Sequence, residues 1–373
     1  MKKLFSLLVG VAVLTAGQAV ADSKGLAKTT KGSPEIGRID VLSFAPGGVL
    51  LIGDGAKRQV VAVDTKDTNG STESFKTIPH LNKELAGRLG VKAGDIEVID
   101  MVVNPDSGKL YLSVRKQDDK TYVLVRIDSK GEISPVSLKS VDYAAIPLPQ
   151  GEKTPVNTIT DLAWVGDRLV AAARCNEEFA SKIFATRGAL SHGQVGQIYS
   201  AETFHVAHGR WETKAPMSVL IPYEEDGKPY IVGAFSCTPV VKYPLDALQP
   251  GAKIKGISMI ELGSGNRPLD MFSYDKGGKG SVIANTFRFH HSRRPFGPSP
   301  YWAARFDKDL LANNEATNKE AVRRLKGNDP ATDRIQLVED FHGIVQMDRL
   351  NDTHAIGLKE AGEDVDLVLV ALP

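Results

Sequence analysis

The sequence predicts an all-β protein, a β-propeller of six four-stranded blades. Two observations predict it. A strand, a tight turn, a second strand and then a third return along the chain at a spacing of about 50–60 residues, the period of a propeller blade. The turns between first and second strands are built from turn formers, as in Pro46-Gly47-Gly48, Pro105-Asp106-Ser107-Gly108 and Val165-Gly166-Asp167. A pair of β-sandwiches is the competing architecture.

The elements follow in order. Lys2-Lys3, the apolar run Leu4 to Ala16 and the small-x-small triplet Ala19-Val20-Ala21 read as a signal peptide over residues 1–21, so the mature chain is expected to start at Asp22. The apolar run is too short to span a bilayer comfortably. Two lysines rather than paired arginines favour the general secretory route. The expected compartment is the periplasm or the outside of the cell, with no membrane span after cleavage.

Residues 22–373 read as a single propeller domain. The first unit runs through GRIDVLSF, VLLIGD and RQVVAVDT, with a short fourth strand near SFKTI, and a helix is expected over Asn82 to Leu89. The second unit is IEVIDMVVN, KLYLSV and TYVLVRID. The third is ITDLAWV, LVAAARC, ASKIFATR and QIYSA. The fourth begins at APMSVLIPY and the fifth at RPLDMFSY. A loop and helical insertion lies at about 286–330, and within it Lys308 to Lys326 is helix-forming and charged, as for a solvated helix. The sixth unit has three clear strands before Pro373. A strand within Lys28 to Ile36 is expected to supply the fourth and close the ring.

The formal charge of +1 gives no footprint for nucleic acid, and 42% hydrophobic residues is ordinary for a soluble globular chain. No CxxCH, HExxH, GxSxG or Walker loop is present, and with Trp164, Trp211 and Trp302 alone there is no regular tryptophan pattern of a quinone-dependent dehydrogenase.

Aligning the units on their turns puts Asp40, Asp100, Asp161 and Asp270 at one place in their inner strands, with Gln346 there in the sixth unit. A ring of carboxylates suits a cation or a polar ligand. It equally suits a device that pins each blade to its neighbour, and repetition favours that second reading. Unrepeated residues are more informative. ETFHVAHGRWETKAP carries His205, His208, Arg210, Trp211 and Glu212. FRFHHSRRPFGPSPYW carries Arg288, His290, His291, Arg293 and Arg294, and EDFHG carries His342. Cys175 and Cys237 each end a second strand in adjacent units. Five of the eight histidines therefore fall on the loop face that carries both cysteines.

The cysteines leave three readings open. One is a Cys175–Cys237 disulfide, the default in an oxidising compartment. The second is a copper or zinc site drawn from Cys175, Cys237, His205, His208, His290, His291 and His342. The third is a cysteine nucleophile beside a histidine. Arg210 and Arg288 are candidate anion contacts, and Asp161 and Asp270 candidate ligand contacts lining the channel.

VVNPDSGKLYLSV, ITDLAWV, CNEEFASKI, HGRWETKAPMSVLIPY, SCTPVVKYPLDALQPGAKIKG and NRPLDM resemble uncharacterised exported bacterial propeller-like proteins of YVTN or quinoprotein-like repeat architecture, over roughly residues 75–350. That resemblance implies fold and compartment and no particular activity. The leading expectation is an exported propeller that holds a small ligand or a transition metal on its loop-rich face. The alternatives are a metal-dependent hydrolase, lyase or oxidoreductase, or a scaffold that docks another exported protein.

Overall fold

The computed structural model describes residues 25–373 apart from 150–152, 237–238, 250–251, 264, 294, 296, 313–320 and 324–333. The expected leader therefore lies outside the described residues, as do Cys237 and Arg294. Six small antiparallel sheets stand in a ring, the arrangement of a six-bladed propeller. Among the described residues no helix is long and apolar enough to cross a membrane.

Each blade starts at the channel with a long inner strand. The six inner strands, in chain order, are Val41–Ala45, Ile96–Val103, Val156–Val165, Met217–Glu225, Asn266–Lys276 and Ile344–Arg349. Apolar residues on both faces of the middle strands pack one blade on the next. Leu51 and Ile159 join the first blade to the third, Ile52 and Tyr111 join it to the second, and Leu112 and Ile356 join the second to the sixth. The third, fourth, fifth and sixth follow in turn.

The ring order is thus second, first, third, fourth, fifth, sixth. It is not the chain order, and the exchange of the first two blades changes how the ring closes. The fourth strand of the first blade is not the SFKTI segment but Val141–Pro147, which pairs with Gln59–Asp64 after the chain has built the second blade. The SFKTI segment instead crosses to the sixth blade. There Ile78 exchanges two hydrogen bonds with Leu367 of 2.9 and 2.8 Å, and the helix Leu81–Leu89 docks beside the outer strand Asp364–Ala371. The sixth blade keeps three strands, Ile344–Arg349, His354–Ala361 and Asp364–Ala371. The expected closure by an N-terminal strand is corrected accordingly. Thr30–Gly32 pairs with Val141–Pro147 on the outside of the first blade, and Leu26–Lys28 pairs with Leu190–Ser191 on the third. Both are near the chain start, but the outer edge they would have filled is already held by the crossing segment.

The crossing is pinned at Asp67. Its carboxylate is 3% exposed and takes Lys109, the Tyr111 hydroxyl at 2.8 Å and, more distantly, Arg126 at 3.9 Å, all from the second blade. Burial raises the Asp67 carboxyl, and Lys109 and Tyr111 outweigh it, so the group stays below its ordinary range. Tyr111 is pushed up to about 12 by its own burial and by that carboxylate. Two glycines let the backbones touch here. A Cβ on Gly70 would lie 2.0 Å from the Ser107 carbonyl oxygen, and one on Gly108 2.2 Å from that of Ser71.

Of the charged insertion, the described parts are a short 3₁₀ turn, Lys308–Leu311, and the strand Val322–Arg323, which pairs in parallel with Ile257–Glu261 on the fourth blade. The rest of the expected helix lies outside the described residues.

Asp67→Ala leaves Lys109 and the Tyr111 hydroxyl facing a partnerless gap, so urea unfolding is expected to show a loss of about 2–4 kcal/mol. A loss below about 0.5 kcal/mol, the size of an ordinary surface substitution, would show that the crossing does not depend on this residue.

Candidate functional site

Two places gather chemistry. The first is the central channel, a cavity of about 450 Å³ lined by the inner strands of all six blades. An inner strand is the edge of its sheet, so the N–H groups on its channel side have no ladder partner. Aspartates of neighbouring blades accept them. Asp100 accepts from Leu42 at 2.6 Å, Asp161 from Leu220 at 2.6 Å, Asp270 from Met347 at 3.0 Å and Asp348 from Val103 at 2.7 Å. Every one of these bonds joins two adjacent blades.

The backbone is shaped for it. The ladder is interrupted between Val98 and Asp100, Ile159 and Asp161, Met217 and Val219, Pro268 and Met271, and Ile344 and Gln346. A β-bulge at this point bends the inner strand and re-aims the side chain toward the next blade. The aspartates that recur in the sequence are therefore bulge residues serving the repeat. Asp40 departs from the set, taking Arg38 at 3.0 Å and the Gly55 N–H at 2.9 Å. In the sixth blade the role falls to Asp348, two residues beyond the aligned Gln346 and on the same side of the strand. That period-2 offset is the signal that could have identified it.

Burial sets the electrostatics of the channel. It pushes Asp161 up to about 7, Asp270 up to about 8 and Asp348 up to about 6, against the backbone N–H bonds each accepts. Asp100 is raised well above the ordinary range by burial, with Asp270 and Asp161 adding like-charge repulsion. Asp40 is raised by burial as well. The lining holds five aspartates, Asp40, Asp100, Asp161, Asp270 and Asp348, against one basic residue, Arg267.

The second place is a hairpin at the outer edge of the third blade. Gln197–His205 turns through residues 206–209 into Arg210–Glu212, in a register that pairs Thr203 with Glu212 and His205 with Arg210. His205 and Thr203 share a face, so Glu212 lies diagonal to His205 on that face, and His208 folds over it from the turn. The ligating atoms of His205, His208 and Glu212 lie within 4.8 Å of one another, and the two imidazole centroids are 3.9 Å apart. His205 is 2% exposed, whereas His208 is open to solvent. Burial raises the Glu212 carboxyl, but the N–H groups of Ala215 and Lys214, with His205 and His208 beside it, bring it below its ordinary value.

The other residues singled out by sequence do not join this group. Cys175 is buried at the end of Arg168–Cys175, and a cavity of about 440 Å³ beside it is walled by Arg174, Glu177, Glu178 and Lys214. Cys237 is outside the described residues. Of the seven residues expected to supply a copper or zinc site, His205 and His208, together with Glu212, have donor atoms close enough to share one ion among the described residues. His290 packs against Gly265 and His342 against Gly297, where a Cβ on either glycine would collide with the ring. His291 sits in the turn after Arg288, its N–H bonded to the Arg288 carbonyl. Arg210 is exposed on the hairpin and Arg288 is buried. Glu177 faces Lys182 at 3.3 Å, both side chains buried. Glu261 carries no local signal in the sequence that links it to this group, since it lies 49 positions beyond Glu212 and on another blade.

No protein-family model matches this chain, and no curated protein sequence does. Among solved structures the chain is similar in fold to a chain of a mitotic checkpoint complex, with 8% identity, 100% of this chain and 98% of that one covered, and a TM-score of 0.36. It is similar also to an endo-arabinase from Bacteroides thetaiotaomicron, with 11% identity, 73% and 92% covered, and a TM-score of 0.37. A lignostilbene dioxygenase from Pseudomonas brassicacearum matches at 10% identity, 89% and 69% covered, and a TM-score of 0.34. Likeness at this level says nothing of what the chain binds.

The raised channel carboxyls give a signed pH dependence. A carboxyl whose folded value lies above its unfolded 3.8 retains a proton that the unfolded chain releases. Its stabilising contribution is full below about 3.8 and is lost as pH rises through about 7 to 8. Thermal unfolding is therefore expected at a lower temperature at pH 8.5 than at pH 6. Asp270→Asn keeps an oxygen for the Met347 N–H and removes the charge, so it should flatten that decline and add on the order of 1–3 kcal/mol at pH 8.5, the difference shrinking as pH falls toward about 4. A variant whose pH profile parallels the parent protein's would place the titration elsewhere.

Proposed function

We propose that this chain is an exported β-propeller that binds rather than transforms its ligand, a small positively charged molecule held in the central channel. The observation that carries the reading is the lining itself: five aspartates face one arginine around a cavity of about 450 Å³. That volume falls in the range of small-molecule sites. Desolvation, with repulsion from neighbouring carboxylates, keeps Asp161 and Asp270 partly protonated near neutrality, and a cation among them stabilises the ionised forms. Binding is then coupled to proton release. The carboxylate oxygens are held by backbone N–H groups, which suits fixed acceptors better than a nucleophile or a mobile acid. Export rests on the leader-like residues 1–21.

A second reading, docking of another exported protein, is favoured by Phe289. It is 55% exposed and stacks edge-on against Phe287, which in turn contacts Tyr301, on the loop after the fifth blade's second strand.

A thermal-shift series on the mature protein at pH 7.5, using diamines, polyamines and guanidinium compounds beside acidic and neutral controls, tests the channel. Cationic compounds should raise the melting temperature, and calorimetry in two buffers of different ionisation enthalpy should show protons released on binding. The double variant Asp161→Asn/Asp270→Asn should lose both effects. A shift that persists in that variant, or none with any cation, would overturn the reading.

A further inference from the structure

We propose that the hairpin of the third blade is a site for a borderline divalent transition ion, zinc or copper(II), held by His205, His208 and Glu212 and backed by Glu261. It is separate from the channel, and neither proposal depends on the other.

The donor set is right for such an ion. Two imidazoles and a carboxylate suit zinc and copper(II) better than calcium or magnesium, which take oxygen shells. Zinc bonds to nitrogen and oxygen of about 2.0–2.2 Å place two ligands of one ion about 3–4 Å apart. His205 Nδ1 and Glu212 Oε2 are 3.8 Å apart. The exposed His208 completes the set by a small rotation. Three protein ligands leave an outer position for water or a ligand atom.

The second observation is behind the site. Glu261, 2% exposed, ends the strand Ile257–Glu261 of the fourth blade and brings Oε2 to 3.2 Å from His205 Nε2, while its Oε1 accepts the Ala207 N–H at 3.2 Å. A neutral imidazole has one N–H. Donated to Glu261 from Nε2, it leaves the Nδ1 lone pair turned toward Glu212. The other oxygen of Glu212 is fixed by the N–H groups of Lys214 and Ala215 at 2.8 and 2.9 Å. A carboxylate on the far nitrogen of a ligating histidine fixes its tautomer and strengthens it as a donor. Glu261 is on this account a positioning residue, and it reaches His205 only because the third and fourth blades are packed together.

The test uses the mature protein, purified without chelator, stripped with EDTA and titrated calorimetrically with zinc and separately with copper(II). One ion per chain is expected. Copper should quench Trp211, which neighbours Glu212, and its resonance spectrum should show two nitrogen ligands. His208→Ala, chosen because His208 is exposed and the fold should survive, and Glu212→Gln should weaken binding at least about 100-fold. Glu261→Gln should weaken it about 10–100-fold, with partial recovery in Glu261→Asp and a shift in the pH dependence of affinity. A His290→Ala/His291→Ala variant should bind as the parent does. No binding by the parent, binding unaffected by His208→Ala and Glu212→Gln, or binding lost in the His290/His291 variant would each overturn the proposal. Zinc or copper binding alone identifies which ion the site prefers and supports it.

Discussion

A propeller blade is a sheet with an open inner edge, and every inner strand leaves backbone N–H groups facing the channel. Here the carboxylates of Asp100, Asp161, Asp270 and Asp348 reach across to those N–H groups from the next blade in the ring. An unsatisfied buried N–H costs about 1–3 kcal/mol, so each such bond both removes a penalty and ties two blades. The bulges that aim the aspartates, the raised carboxyl values and the polarity of the channel all follow from that requirement. A channel built to satisfy edge strands becomes rich in buried carboxyl groups.

The ring tolerates an exchange of its first two blades because inter-blade packing is not tied to chain order. Leu42 and Ile52 pack on Val102 and Tyr111 of the second blade, while Val41 and Leu51 pack on Ile159 and Leu169 of the third. The two faces of one sheet choose the neighbours, and the chain then travels wherever that choice requires. The cost is two crossings, and the structure secures the first of them with the Asp67 cluster and with Ile78 on the sixth blade. The strap and the helix Leu81–Leu89 cover an edge that would otherwise invite association.

The hairpin site depends on the same packing from the outside of the ring. His205, His208 and Glu212 come from one short stretch: the hairpin register puts His205 and Glu212 on one face, and His208 folds over them from the turn. Glu261 comes from the neighbouring blade. The loop bearing His290 and His291 took up a different task, with His290 and the nearby His342 filling space against glycines. Histidines gathered on one face of a fold are not yet a site. They become one where a register or a blade contact brings nitrogen and oxygen donors to within an ion's reach.

The repeat was legible because strand alternation and turn chemistry are local, and so were the six inner strands and the helix near Leu81–Leu89. The bulge aspartates were legible as a repeated position, and their part in joining blades followed from repetition alone. Asp348 was missed because the sixth strand shifts its acceptor by one pleat. Blade order, the origin of the first blade's outer strand, and the approach of Glu261 to His205 could not be read, because similar repeats carry no label of their neighbour. Tertiary packing decided these, since they depend on which apolar faces meet and how the backbone crosses between them. Local backbone geometry and hydrophobic period were sufficient for the blades. Their neighbours, and the donors that meet between them, came from burial and shape.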